Sequence, residues 1–347
     1  MRSTKGRYTR RGAIAALLAF AFSVPGFDAQ SETKPISVRF TVQPNTLVTT
    51  LVEVAAERGF FKEVGIDART VTVAHGPAAV TALASGTVDV ATNAPEVFMA
   101  LAGKGQSVKL IAGQTKQLGV LVARPGFTLP GTFPESVRAL KRKKIGVTAL
   151  SSATQYLAIA MLTAAGLAAD DVDFVAVGTG ATQALVNSVV DAGFVTGPQV
   201  VMSQSLGARV IVDLRTADKC PPQIDICGIG QVGMWAMGDW IAKNAEAVAR
   251  IRKAIAKADM FMHDPANAAV AREILLRQIP ANSSDQIKAD FTAYGLSVLS
   301  AAFAKKDLER WIVIDHKAGV IAKEFPVSTV FAEGTPETAD AVKALAQ

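Results

Sequence analysis

The chain has 347 residues, with 36 lysines and arginines against 30 aspartates and glutamates and a formal charge of +6. Residues 1–29 hold five of the basic residues and Asp28, so without them the charge falls to +2 and nucleic-acid binding loses its support. What remains is longer than one typical domain core and suits two lobes.

Arg2, Lys5, Arg7, Arg10 and Arg11 form a basic start, residues 13–22 (AIAALLAFAF) an apolar run, and Pro25-Gly26 a break. That order reads as an export signal, residues 1–29, with cleavage after Ala29 or near Gly26. The apolar run falls short of the roughly 20 residues of a membrane span. Thr9-Arg10-Arg11 resembles a twin-arginine signal, although Ala13 stands where a bulkier apolar residue is expected, so the twin-arginine and general secretory routes both stay open. Either one leads out of a bacterial cytoplasm, and a periplasmic protein is expected. In that oxidising compartment Cys220 and Cys227 either pair across a small loop or remain two thiols.

From Pro35 the chain alternates strand and helix signals. Residues 36–42 alternate like a strand; Val48, Leu51, Val52 and Ala55 keep helical spacing until Gly59; Phe60-Phe61 plug the turn; and residues 68–73 read as the next strand. Gly76-Pro77 opens a helix, residues 88–92 a strand, Pro95 a short helix and residues 108–112 another strand. A second series follows, with strands at 145–148, 172–177, 192–195 and 210–214 and helices at 158–165 and 181–189. Beyond Asp239 the pattern turns helical, through Ile241, Ala245, Val248, Ile251, Ile255, Ala258 and Met262, then over 266–278 and 285–303. Alternation of this kind predicts α/β lobes with mainly parallel sheets flanked by helices.

The two series repeat one another. A shift of 102 carries Gly76, Ala79, Ala82, Leu83, Val88 and Asp89 onto Gly178, Ala181, Ala184, Leu185, Val190 and Asp191, six identities in fourteen positions. About one is expected by chance. Each unit presents a glycine turn and a helix start at the carboxyl end of a strand, the arrangement that holds a ligand between two lobes. Asp89 and Asp191, one per unit, read as structural groups that bond backbone at strand starts. The second unit has Asn187-Ser188 where the first has Ser85-Gly86. The glycine-rich stretches 111–126 and 228–238 lie where the chain would cross between lobes, as two hinge strands. The expected division is 30–122 plus 238–347 for lobe 1 and 123–237 for lobe 2.

Candidate ligand-binding residues follow from the strand ends. Gln43, Asn45 and Thr46 follow the first strand; His75 and Gly76 follow the next; Asn93 and Glu96 follow the third. From the second series come Ser151, Ser152 and Thr154 before a helix, and Gly178 and Thr179, while Gln199 and Trp235 stand in the second lobe and hinge. Their hydroxyls and the helix N–H groups suit a small organic anion; simple helix capping is the alternative for Ser151, Ser152, Thr154 and Thr179, an incidental turn histidine for His75, and core packing for Trp235. Trp235, with Tyr156 and Phe98, leaves open a flat aromatic ligand. Spacings for a metal site, a C-x-x-C, an H-E-x-x-H or a G-x-S-x-G are lacking, so no cofactor, no metal and no catalysis are expected.

AAERGFFKEVGIDARTV followed by ALASGTVDVAT, with IGVTALSSATQYLA and ALVNSVVDA in the second half, resembles solute-binding proteins of the nitrate, sulfonate and taurine importer class, related to thiamine-precursor binding proteins. The resemblance spans residues 36–265. It implies a two-lobed periplasmic-binding-protein fold, type II-like, with two crossovers. It also implies a monomer that captures a small molecule and delivers it to the inner-membrane permease of an ABC transporter. A sulfonate, taurine or carboxylate ligand is favoured over a pyrimidine or thiamine precursor or an aromatic acid. The most distant alternative is a pyrimidine-precursor synthase, whose cysteine-rich motif is missing from this chain.

Overall fold

Alternating apolar side chains make β1 (Ile36–Val42), which buries Val38 and Phe40 completely and pairs in parallel with β2 (Ile66–Thr72) along its whole length. The computed structural model describes residues 34–347, and residues 35–347 form one compact unit. The export signal lies outside the described residues. Between β1 and β2 come α1 (Thr50–Glu57) and α2 (Phe60–Glu63), where Phe61 stacks on Phe40 with ring centroids 4.7 Å apart. Next follow α3 (Gly76–Ala84), β3 (Ala91–Asn93), α4 (Pro95–Ala102) and β4 (Val108–Lys116).

The second series holds β5 (Val120–Ala123), α5 (Glu135–Arg138), β6 (Lys144–Val147), α6 (Ala153–Ala164), β7 (Asp173–Ala176), α7 (Ala181–Val186), β8 (Ala192–Val195), α8 (Pro198–Ser205) and β9 (Arg209–Asp213). Then come β10 (Gly230–Met237) and the helices α9 (Gly238–Lys243), α10 (Ala245–His263), α11 (Ala268–Leu276), α12 (Asp285–Val298), α13 (Lys305–Lys317) and α14 (Ala339–Ala346). Three sheets result: β1-β2, β3-β10-β4 and β7-β6-β8-β5-β9. No strand of the five-stranded sheet pairs with the other two sheets. A parallel bridge from Phe40 to Val90 ties the two smaller sheets together.

The sheets are mixed, because both crossover strands enter against the grain. β5 is antiparallel to β8 and β9, and β10 is antiparallel to β3 and β4. The chain enters the five-stranded sheet at Val120, and β10 belongs to the sheet of β3 and β4.

Among the C-terminal helices, α10 buries Val248, Ile251, Ile255, Ala258 and Met262 against α1, α2 and α14. Ile241 lies in the separate α9, since the helical run breaks at Asn244, whose Nδ2 donates to the Trp240 carbonyl. The helix expected over 285–303 ends at Val298. Beyond it the chain extends along the free edge of β4, with a bridge from Leu299 to Thr115 and a bond from Gly113 N to Ala301 O. Cys220 and Cys227 are joined by a disulfide.

The repeat is visible in three dimensions. Asp89 accepts from Arg39 N at 2.8 Å and pairs with the Arg39 guanidinium; Asp191 accepts from Lys144 N at 3.1 Å and pairs with Arg124. Asp191 thereby pins the start of β6, and Asp89 the middle of β1. The helix ends also correspond, for Gly86 has φ +71° and Ser188, at the matching position, φ +56°. Serine carries a Cβ penalty of about 1–2 kcal/mol in that left-handed conformation. After the extra chain entropy of glycine is subtracted, Ser188→Gly is expected to raise stability by about 0.5–1 kcal/mol. Gly86→Ser should lower it by a similar amount, both read from urea midpoints at unchanged slope. Equal midpoints for all three proteins would remove the strain argument.

Candidate functional site

A cleft opens where the sheets' helix starts converge. Gln43, Asn45, Thr46 and Val48 reach it from the β1–α1 loop, Gly76 from the start of α3, and Asn93 and Ala94 from the start of α4. Facing them are Thr148, Ser152, Ala153 and Thr154 before and within α6, Gly178 and Thr179 before α7, and Thr196 and Gln199 around the start of α8. Leu118 and the pair Gln231–Val232 close the back from the two crossovers. The cleft has a volume of about 680 Å³ counting its open mouth. That is room for a small solute rather than an extended one.

Among the described residues, no charged side chain and no aromatic ring lines the cleft. Its polarity comes from amides, hydroxyls and backbone. Six helices, α1, α3, α4, α6, α7 and α8, begin at or within a few residues of lining positions, so the positive ends of their dipoles face a common space. In α6 the N–H groups of Ala153 and Thr154 lie in the first turn, where no intrahelical carbonyl can accept them.

The hydroxyls before α6 build the loop. Thr154 Oγ1 accepts from Thr148 N at 2.9 Å, Ser152 Oγ donates to Ala149 O at 2.6 Å, and the two hydroxyls lie 2.8 Å apart. With Ser152 donating to the carbonyl, Thr154 must donate to Ser152. Both protons are then committed inside the loop, so these two hydroxyls do not donate to a ligand.

On the opposite wall Asn93 Oδ1 accepts from Ala94 N at 3.0 Å, and its Nδ2 lies 3.4 Å from Gln43 Oε1. Gln231 Oε1 accepts from Leu118 N at 2.8 Å, tying the two crossovers together behind the cleft. Gln199 Nε2 donates to Thr179 O at 2.8 Å, bracing two lining residues.

Of the residues expected from sequence, Gln43, Asn45, Thr46, Gly76, Asn93, Ser152, Thr154, Gly178, Thr179 and Gln199 meet in this cleft. Four do not. His75 caps α3, its Nδ1 accepting from Ala78 N. Ser151 takes a left-handed turn at φ +59° and is exposed, its N–H donating to Gln155 Oε1. Glu96 is buried behind the cleft at 1 % exposure. Trp235 is wholly buried, stacked on Phe98 at 4.9 Å, and its Nε1 donates to Asn93 O at 3.2 Å. It supports the cleft wall from behind. Sequence reading passed over Thr148, Thr196, Leu118 and Gln231. Thr148 and Thr196 carried the same strand-end signal as their neighbours, whereas Leu118 and Gln231 carry no local signal.

Two groups of sheets with a ligand-sized cleft between them define the periplasmic-binding-protein fold. A family described as NMT1/THI5 like matches residues 46–268, more than half of the chain, and the chain belongs to that family. Among solved structures it is similar to a protein of Bordetella bronchiseptica RB50, with a TM-score of 0.70, 24% identity, and 89% of this chain and 96% of that one covered. It is also similar to the alkanesulfonate-binding protein SsuA of Xanthomonas axonopodis pv. citri bound to MOPS (TM-score 0.68, 14% identity, 86% and 99% covered). The periplasmic aliphatic sulphonate binding protein SsuA of Escherichia coli gives a TM-score of 0.65 at 15% identity, with 86% and 98% covered. No curated protein sequence matches. Among the described residues no helix is long and apolar enough to cross a membrane.

Proposed function

We propose that this chain is the solute-capturing component of an ABC importer and that it closes on a small organic anion, a sulfonate or carboxylate, for delivery to a permease from the periplasm. The observation that carries this is the cleft itself, where helix starts and side-chain amides converge without a lysine, an arginine or a carboxylate among the described residues. Such a site neutralises one delocalised negative charge through N–H dipoles and suits a compact dianion poorly. Two similar structures are described as sulfonate-binding, in keeping with this reading. A flat aromatic or pyrimidine-like ligand is less well served, because Trp235 and Phe98 are spent on each other and Tyr156 is not among the lining residues. Catalysis is disfavoured on similar grounds, since no titratable acid or base lines the cleft.

Two lobes, divided as the sheets divide and hinged at residues 117–119 and 214–229, would close on the ligand. A thermal-shift panel of aliphatic sulfonates, carboxylates, pyrimidines and aromatic acids tests the ligand class. A true ligand at about 100 times its Kd should stabilise the protein by about 2.7 kcal/mol. The same compound should shrink the radius of gyration in X-ray scattering. A response to pyrimidines or aromatic acids alone would reverse the preference, and turnover of any of these compounds would reopen the synthase reading.

A further inference from the structure

The side-chain amide of Gln231 faces two ways. Gln231 stands near the start of β10, is 3 % exposed and lines the back of the cleft. Its Oε1 accepts from Leu118 N at 2.8 Å. A backbone N–H can only donate, so the amide oxygen must be the atom that meets it and the NH2 the end turned away. Leu118 is held in turn from its other side, where its carbonyl accepts from the Tyr294 hydroxyl at 2.9 Å, and that hydroxyl accepts from Gly197 N at 3.2 Å. Tyr294 belongs to α12 and Gly197 stands at the start of α8, so elements far apart in the chain fix the partner of Gln231.

Gln231 Nε2 has no acceptor among the described residues, and it is not sealed in the core as the amide nitrogens of Gln114 and Gln117 are. Its N–H bonds are available to whatever enters the cleft. Leaving a nearly buried donor unmade is costly, so the wall rewards a ligand that brings an acceptor. None of the ionisable groups around this wall lines the cleft. Asp307 accepts from Gly230 N, Arg215 pairs with Asp213, Lys116 is exposed and Lys109 donates to Ser328 O. Of the helices packed on β10, α3 brings the capping His75, α4 the buried Glu96 and α9 the exposed Asp239 and Lys243.

We propose that Gln231 is a specificity-determining residue of the cleft, whose Nε2 donates to an oxygen of the ligand's anionic head while its Oε1 stays on Leu118 N. The inference rests on the small-anion reading given above. A sulfonate or carboxylate oxygen only accepts, and it meets a donor here without any rotation of the amide. An ammonium group only donates. To receive it the amide would have to turn round and set its NH2 against Leu118 N–H, so this wall refuses a ligand that leads with a cation. The charged head accordingly seats at the back of the cleft against β10, with the tail toward the mouth.

Gln231→Glu tests this, because a carboxylate keeps the oxygen that accepts from Leu118 N and exchanges only the cleft-facing NH2 for oxygen. The probes are ethanesulfonate, butanesulfonate, propanoate and butanoate, with affinities measured by calorimetry. At neutral pH the variant should bind the wild type's best probe at least about 100-fold more weakly, since a donor to a charged group is lost and a like charge takes its place. As pH falls toward the carboxyl range the introduced acid takes up a proton and becomes a donor, so the ratio of the two affinities should narrow by up to about tenfold per pH unit. Gln231→Met removes the amide without adding charge; it should weaken binding about tenfold or more, with a ratio to the wild type that does not change with pH. The inference is overturned if Gln231→Glu binds within about threefold of the wild type at neutral pH, or if its ratio fails to narrow on acidification. Should Gln231→Glu not fold, undiminished affinity in Gln231→Met overturns it instead. A wild type that binds none of the four probes refutes the small-anion reading itself, and this inference falls with it.

Discussion

Trp235→Ala should lower the stability of the protein by about 3–5 kcal/mol, the range for truncating a large aromatic side chain in a packed core. Trp235 lies in β10, the central strand of its sheet, with no exposed surface, and its ring stacks on Phe98 at an interplanar angle of 18°. Neighbouring backbone is hydrogen-bonded into the ladder on both sides, so the cavity has little room to collapse. Trp235→Phe separates volume from the hydrogen bond. It fills most of the space but leaves the Asn93 carbonyl without its donor, at about 1–2 kcal/mol. Urea midpoints measure both. A loss under about 1 kcal/mol for the alanine variant, with ligand response abolished, would return Trp235 to the role of a stacking surface.

That residue also illustrates where sequence reading stopped. The glycines of GIGQVGMWAMG read as a hinge strand in which Trp235 either meets a flat ligand or packs in the core. In the structure they signal close packing. A Cβ on Gly230 would meet the Phe303 ring at 3.1 Å, and one on Gly233 would run into Leu110. Such contacts come from residues far along the chain, and no local pattern encodes them. Glu96 misleads for the same reason. An acid in the first turn after Pro95 looks placed for the cleft, and its burial depends on α13, more than two hundred residues later.

What is local was legible. Period-two alternation located β1, the Val-Asp pairs marked the carboxylates that bond a neighbouring strand, and the loops after the strands supplied ten of the lining residues. Strand direction was less so. The antiparallel entry of β5 and β10 follows from how the chain crosses between sheets, which the apolar pattern of either strand leaves undetermined.

The repeat supplies the sharpest test of the cleft, because its two glycines occupy matching positions for different reasons. At Gly76 a Cβ would sit 2.8 Å from Asn93 Oδ1 and 3.3 Å from Val97 Cγ1, whereas at Gly178 nothing lies within 4 Å and the backbone is left-handed, φ +57°. Gly76→Val must therefore displace the Asn93 amide, breaking its bonds to Ala94 N and Gln43 Oε1, while its φ tolerates a side chain. The expected stability loss is about 1–3 kcal/mol, as for other overpacked sites. Ligand affinity should fall at least about tenfold. For the sulfonate or carboxylate that stabilises the wild type by about 2.7 kcal/mol, the variant's stabilisation at the same concentration then drops to about 1.4 kcal/mol or less. Gly178→Ala should lose about 1–2 kcal/mol to backbone strain yet crowd no lining side chain, and so keep most of its affinity. If Gly76→Val retains the full ligand shift, the ligand does not touch the Asn93 wall, and the site must be drawn around α6 and α8 alone.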